Sequence, residues 1–550
     1  MLSGKIRFDF WTIIKIIIFL FIVLTILYPL SIVFIRSITD SGGHTTLKNF
    51  TKFFATKYYR DVLANSVFVS GITTIICILI GVPMAYMVTR FDLATKRILT
   101  ILVILSLMSP PFIGAYAWIM LFGRAGFVTK IVLQLTGIAL PTIYGKWGII
   151  SVFTFKMFPY VFLFTSGALS SIDSSLEEAS ENLGASHMRR LFTVTFPVVF
   201  PSIFAGGIMV FMSSISDFGT PMLIGQNYKV LATLVYEQYM SEMGTSANFA
   251  SAVSMIIVIF CALILIGQKA YLNTRNFAMT SMRPPKTEHL VPLKRIGVAL
   301  FLGIIILFAM LPQIVVIVTS FKNCNGPYFV EGWGIKSYIT IFTRMVRSIK
   351  NTYAYSFIAI FIMITIGSLT AYVTVRKKSF LTGIMDVMLM FPYVIPGAVM
   401  ALGMIIGFNR PPVYLAGTAF IMVLSFTVRK IPYTVRSGVG FLYQMEANVE
   451  EASINMGVPP GLTFLKITVP LMLPGILSGA ILSWIETINE LSSSVMLYTG
   501  RTSTLAVAIY NEVARNSFGT AAAMATILTV TTIIMLILFT IISKGKVSIV

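Results

Sequence analysis

Charge is scarce in this chain of 550 residues: Asp, Glu, Lys and Arg together make up 11% of it, against roughly 25% in soluble domains. A soluble protein of this size needs far more polar surface. Acids are the scarcer sign, 20 against 41 Lys and Arg, giving a net charge of +21. Only three cysteines occur: Cys77 and Cys261 lie inside apolar runs and Cys324 stands alone. That excludes a disulfide framework and any zinc spacing. The three histidines, His44, His187 and His289, are too far apart for a local metal motif. The Gly-Lys pairs at Gly4, Gly145 and Gly545 lack the Walker A frame, so this chain is not expected to bind ATP.

What is abundant is apolar. Hydrophobic residues make up 57% of the chain and the mean hydropathy is +0.88. Runs of about 20 apolar residues are long enough to cross a bilayer. A soluble enzyme, a disordered protein and a secreted scaffold are excluded. The basic balance invites a nucleic-acid reading, but the cations sit in short clusters between apolar runs. Membrane topology and lipid headgroups explain that pattern, and no nucleic-acid partner is expected. The apolar stretch from Trp11 to Ile35 is too long for a signal-peptide core and reads as an uncleaved first span.

The expected fold is an all-α polytopic membrane protein of about twelve spans, two sets of six. The first set falls near 11–35, 65–89, 98–122, 147–169, 198–222 and 247–268. A polar linker over 269–295, containing Arg283-Pro284-Pro285-Lys286, separates it from the second. That set falls near 296–319, 351–375, 381–408, 413–433, 471–495 and 521–542. Barrel strands are excluded, being short and alternating. With both termini inside, 23 of the 41 Lys and Arg fall on the inner side and Lys156 lies within a span. The bias is clearest in the short loops 90–97 and 376–378, and it places both termini in the cytoplasm.

The chain repeats itself. Asn65, Gly81, Ala85, Tyr86, Arg90 and Pro110 return 286 positions later as Asn351, Gly367, Ala371, Tyr372, Arg376 and Pro396. Further on the offset is 273, and Glu177–Ile208 matches Glu450–Ile481 at 12 of 32 positions. Six spans per copy keep both copies in one orientation, a parallel repeat about an axis along the membrane normal. The domain boundaries expected are a first half over 1–268 and a second over 296–550.

The best-matched segment is a loop. It reads Glu177-Glu178-Ala179-Ser180, Gly184 and Pro197 in the first half. In the second it reads Glu450-Glu451-Ala452-Ser453, Gly457 and Pro470. The loops fall near 174–197 and 446–470, between the fourth and fifth spans of each half. Ser174 to Glu177 has capping-box spacing, the acids suit a helix N-terminus, and Gly184 and Gly457 suit a helix end. A second short stretch would then lead to Pro197 or Pro470, opening the next span. The expected result is a helix–turn–helix with small residues outward.

This pattern resembles the loop signature of permease subunits of binding-protein-dependent ABC importers, which reads Glu-Ala-Ala, three residues, Gly, nine residues and Ile-x-Leu-Pro. Ser180 and Ser453 replace the second Ala, and Val194, Phe196 and Val469 depart mildly from the end. The resemblance implies a type I importer permease fold in the bacterial inner membrane. Glu177, Glu178, Ala179, Gly184 and Glu450, Glu451, Ala452, Gly457 would then form two coupling helices. These would seat in two cytoplasmic ABC ATPase subunits, which carry the ATP and Mg²⁺. A solute-binding protein would deliver substrate outside, and the basic, aromatic segments 37–64 and 320–350 are candidates to receive it. No cofactor is expected on this chain. The fused length, with Asp217-Phe218-Gly219-Thr220-Pro221 and Val230-Leu231-Ala232-Thr233, resembles the ferric-iron permeases and their phosphonate relatives. Thiamine, sulfate and polyamine permeases are more distant alternatives.

Asp217 and Glu490 share the 273 offset near the outer end of the fifth span of each half. Acids at membrane depth face an interior or a water-filled path. With Ser216 and Asn489 beside them they form an oxygen set suited to a hard cation such as Fe³⁺. The competing reading is structural, with Arg501 or Arg515 as partners. Prolines at 110–111, 392, 396 and 411–412 are candidates to bend helices at a gate. The function expected is the channel of an ATP-driven importer carrying ferric iron. A proton-coupled secondary transporter, with Asp217 and Glu490 relaying protons, is the alternative of another class. A membrane scaffold would leave the matched loops unexplained.

Overall fold

A computed structural model describes residues 10–40, 42–107, 111–124, 126–240, 247–273, 287–289, 291–326, 328–411, 413–446 and 448–542. Pro110, Pro412 and the Arg283–Lys286 run lie outside the described residues. Among these residues, ten helices are long and apolar enough to span a membrane, or eleven if a bent pair counts as one span.

The differences from twelve have local causes. The helix Ala419–Gln444 covers the span expected at 413–433, but Arg429, Lys430 and Arg436 make it too charged to pass as a span on composition alone. The span expected at 381–408 is broken: Phe380–Tyr393 and Gly397–Gly407 meet at 108°. Pro396 stands at the break, with no N–H to continue the first helix. The stretch expected at 98–122 is two helices, Lys96–Leu107 and Pro111–Phe122.

The chain forms two compact units, one of residues 50–240 with 256–335, the other of 1–49 with 241–255 and 336–549. In the 50–240 unit, Lys57–Arg90, Lys146–Ser170 and Phe196–Ser216 pack on one another. Phe153, Phe158 and Phe162 lie fully inside. At Gly81 an added Cβ would fall 2.9 Å from Val161 Cβ and 3.0 Å from Phe162 N, so only glycine lets these two helices approach so closely. Pro292–Ser320 completes this unit against Lys96–Leu107 and Pro111–Phe122. Trp118, Phe155 and Phe308 form a three-ring cluster, with Trp118 5.6 Å from Phe155 and 6.3 Å from Phe308, and the two phenylalanines 5.3 Å apart, between ring centroids.

The other unit repeats the plan. Val346–Arg376, Ala419–Gln444 and Val469–Ile488 form its core. Gly367 is the counterpart of Gly81, with Thr434 Cγ2 3.0 Å from where its Cβ would be. The run Phe10–Ser37 belongs here. Trp11 lies 4.5 Å from Tyr372 and 5.5 Å from Phe464 between ring centroids. Tyr28 Oη donates to Gly407 O at 3.0 Å. The compact units therefore do not follow the linear halves 1–268 and 296–550: each sequence half gives its opening helix to the unit built mainly from the other half.

Among the described residues, three five-residue π segments occur, Val23–Leu27, Leu191–Thr195 and Phe464–Thr468. Each ends two residues before a proline: Pro29, Pro197 or Pro470. A proline lacks the N–H and crowds the carbonyl four residues back. Widening the preceding turn relieves both demands without breaking the rod. Pro197 and Pro470 accordingly do not open a new span, as the sequence suggested. They sit inside continuous helical runs, His187–Ser216 and Pro460–Ile488.

Candidate functional site

The two matched loops form the short helices Ser174–Asn182 and Asn448–Asn455. The first is not capped by Ser174. Asp173, one residue earlier, accepts from Ser175 N at 2.9 Å, and Ser174 is buried as the first helical residue. An Asp side chain caps a helix as well as Ser does, and the capping-box pattern misplaced the start by one residue.

Both helices end in the same hydrogen-bonded motif. Gly184 and Gly457 have φ of +80° and +85°. Ala185 N donates to Ser180 O at 3.1 Å and Gly184 N to Glu181 O at 2.8 Å. Val458 N donates to Ser453 O at 3.2 Å and Gly457 N to Ile454 O at 2.9 Å. This is the left-handed glycine terminator.

Within each Glu-Glu-Ala-Ser run the two acids do different things. Glu177 turns inward: Arg90 Nη2 lies 2.6 Å from Glu177 Oε1, and Thr195 Oγ1 donates to the same oxygen at 2.9 Å. Glu450 does the same with Arg376 Nε at 3.4 Å and Tyr372 Oη at 3.1 Å. Arg376 Nη2 also donates to Met445 O at 2.6 Å, tying down the start of its loop. Each loop helix is thus anchored to the end of the second long helix of its own half. Ala179, Ala452 and Glu451 are exposed, and Glu178 is half-buried. The sequence grouped all four glutamates as contact residues; in the structure Glu177 and Glu450 are tied to a neighbouring helix, and of the four Glu451 is the exposed one. Arg90 and Arg376 stood in the repeat as a matched pair, and that was the signal for their role.

The second matched feature is a buried ion pair. Lys156 Nζ lies 3.2 Å from Asp217 Oδ2, and Thr220 N donates to Asp217 Oδ1 at 2.9 Å. In the other unit Arg429 pairs with Glu490, Lys430 Nζ lies 3.1 Å from Glu490 Oε2, and Ser493 N donates to Glu490 Oε1 at 3.0 Å. Both acids are almost wholly buried. Lys156 and Arg429 are themselves 273 positions apart, as are Thr220 and Ser493. The whole clasp is duplicated. The sequence reading set Lys156 aside as a lone charge in a span, and applying the offset to it would have found the partner.

Arg501 and Arg515 are not among the ion-pair partners found for these acids; Arg515 pairs instead with Glu512 at 3.5 Å. Ser216 ends its helix and Asn489 follows its helix, buried beside Glu490. Each acid is met by at least one cation, so neither is an open carboxylate. Among the described residues, no three His, Cys, Asp or Glu side chains converge in a way that could hold a metal ion.

Two copies of a helical unit, each with an anchored loop helix and a buried clasp, define a membrane permease built by duplication. The family description "Binding-protein-dependent transport system inner membrane component" matches residues 77–276 and 363–547. The chain belongs to that family, as a multi-pass protein of the inner membrane. It is 27% identical over 538 residues to the "Ferric transport system permease protein FbpB" of Actinobacillus pleuropneumoniae, covering 95% of this chain and 77% of the relative. The "Putative ferric transport system permease protein FbpB 1" of Haemophilus influenzae is 27% identical over 501 residues, covering 88% and 77%. The "Spermidine/putrescine transport system permease protein PotB" of Haemophilus influenzae is 30% identical over 259 residues, covering 45% of this chain and 89% of the relative.

Proposed function

We propose that this chain is the channel of an ATP-driven importer and that its cargo is ferric iron. ATP and Mg²⁺ would bind a separate ATPase, not this chain. Two ATPase subunits would dock on the helices Ser174–Asn182 and Asn448–Asn455, with both termini on the same cytoplasmic side. A solute-binding protein would deliver cargo to the opposite side. The observation that carries the reading is the duplicated anchor, Arg90 to Glu177 and Arg376 to Glu450. A short helix ion-paired to a long one can transmit a push along it; an untethered loop would absorb the push. Ferric iron is favoured because the relatives named for ferric transport match both halves together, whereas the spermidine/putrescine relative matches less than half of this chain.

The clasps at Asp217 and Glu490 have a defined place in this reading. Transient contact of Fe³⁺ with these carboxylates requires Lys156, or Arg429 and Lys430, to let go during the cycle. In the resting arrangement they are neutralised and hold the end of the fifth helix of each half.

The test is reconstitution of the permease with a candidate ABC ATPase and solute-binding protein. ATP-dependent ferric uptake, absent for phosphonate, thiamine and polyamine cargo, supports the reading. Uptake that persists without ATP hydrolysis and collapses with the proton gradient replaces it with secondary transport.

A further inference from the structure

One acid of the second half is neither fully buried nor matched in the first. Glu486 lies near the end of the helix Val469–Ile488, inside the apolar run Pro460–Ile488. Its side chain is 40% exposed, against 5% for Glu490 and 7% for Asp217. Lys430 Nζ lies 3.0 Å from Glu486 Oε2 and 3.1 Å from Glu490 Oε2, so one ammonium is shared between two carboxylates.

The depth of this site follows from Lys430, which stands near the middle of the 26-residue helix Ala419–Gln444. At 1.5 Å per residue, about 16 Å or more of helix extends on either side of it. An ionised carboxylate at that depth is expensive to expose to lipid, so its open side belongs to a water-filled path. Other partly open polar side chains of the same unit point to the same path. Tyr393, on the helix Phe380–Val394, is within electrostatic range of Glu486, and its ring lies 5.6 Å from that of Tyr433. Further along the same two helices, Arg436 Nη2 lies 3.1 Å from Asp386 Oδ2, with side chains 42% and 28% exposed.

The first half lacks this set, although it shares the buried clasp. At the 273 offset, Lys430, Arg436 and Glu486 become Met157, Leu163 and Ser213.

The shared ammonium decides what Glu486 can do. A cation that displaces Lys430 from Glu486 leaves the ammonium paired with Glu490, and no buried charge is stranded. Lys156 is found with Asp217 as its one acid among the described residues, and parting that pair strands a nearly buried carboxylate. Exchange at Glu486 is therefore the cheaper event.

We propose that Glu486 is the carboxylate that meets cargo, in a water-filled path along the second half, and that it selects a hard cation over an oxyanion. Carboxylate and phenol oxygens, here those of Glu486 and Tyr393, suit such an ion. This rests on the reading of the chain as an importer channel for ferric iron and assigns the cargo contact to one half. Lys430 acts as the built-in counter-ion that holds the site between turnovers.

The experiment has two arms. The first uses the full-length permease in proteoliposomes with Cys324→Ser, since Cys77 and Cys261 are buried. Glu486→Cys is compared with Phe361→Cys, at an apolar position of the span Val346–Arg376 that is 72% exposed. A cationic methanethiosulfonate, present on both sides of the membrane, should modify position 486 roughly tenfold or more faster than 361. The second arm measures ATP-dependent uptake of ferric nitrilotriacetate by the reconstituted complex. Glu486→Gln should raise KM roughly fivefold or more at unchanged Tm, Glu486→Asp should be milder, and Ser213→Ala should leave KM as it was. Modification at 486 as slow as at 361, or a normal KM in Glu486→Gln, overturns the inference and leaves the importer reading standing. An equal rise in KM for Ser213→Ala overturns the assignment to one half. No ATP-dependent ferric uptake by the unsubstituted complex overturns the ferric reading, and the inference with it.

Discussion

Arg90 and Glu177 meet at 2.6 Å, with the guanidinium 5% and the carboxylate 17% exposed, across 87 residues of chain. A buried or nearly buried pair costs far more to break from one side than to remove as a pair. Arg90→Ala should therefore leave Glu177 uncompensated and lower stability by about 3–5 kcal/mol, read as a fall in Tm of the detergent-purified protein. Arg376→Ala should do the same for the second half. Exchanging the partners, as Arg90→Glu with Glu177→Arg, should recover part of the loss. An Arg90→Ala protein with unchanged Tm and uptake would mean the loop helix needs no anchor.

Glu178 and Glu451 follow the anchored glutamates, Glu178 half-buried and Glu451 exposed. Glu178→Lys together with Glu451→Lys should release the ATPase from purified complex with little change in Tm. Full stoichiometry in the double variant would remove these two residues from the docking surface.

The clasp Lys156–Asp217 can be dissected by a double-mutant cycle. Lys156→Met alone strands an acid that is almost fully buried, and should cost about 3–5 kcal/mol. Lys156→Met with Asp217→Asn should cost clearly less. Ferric uptake by the double variant separates scaffolding from cargo contact. A normal rate and affinity place Asp217 in the scaffold, and a raised KM at normal Tm places it in the path.

At Gly184 the backbone is left-handed, φ +80°, where an L side chain costs roughly 1–2 kcal/mol. Gly184→Val should lower Tm and weaken ATPase retention, and Gly184→Asn should be milder because Asn tolerates that conformation. Equal effects of the two would show that the turn is not held by its backbone. Gly457, at φ +85°, should behave in parallel.

Much of this architecture is written locally and so can be read along the chain. The apolar runs, the duplication and the glycines that end the loop helices each depend on neighbours within a turn or two. Pairings across space are written only indirectly. Lys156 looks like a misplaced charge until its partner 61 residues away is known. The inward turn of Glu177 depends on Arg90, which lies at the end of another helix. The break near Pro396 was visible as a proline, but its 108° angle was not, since a proline in a span is also compatible with a gentle kink.

The exchange of opening helices has a consequence for how the protein is made. Pro29 packs where any side chain at Gly403 would strike its carbonyl oxygen, at 2.7 Å, yet the two are separated by most of the polypeptide. At about 5–20 residues per second, the ribosome needs roughly 20–75 seconds to deliver the second after the first. For that interval the earliest helix waits in the bilayer with its mate unborn. Its exposed faces, carrying Ile17, Leu20 and Leu24, are apolar enough for lipid to shelter it. Translation order, as much as affinity, sets when this permease closes on itself.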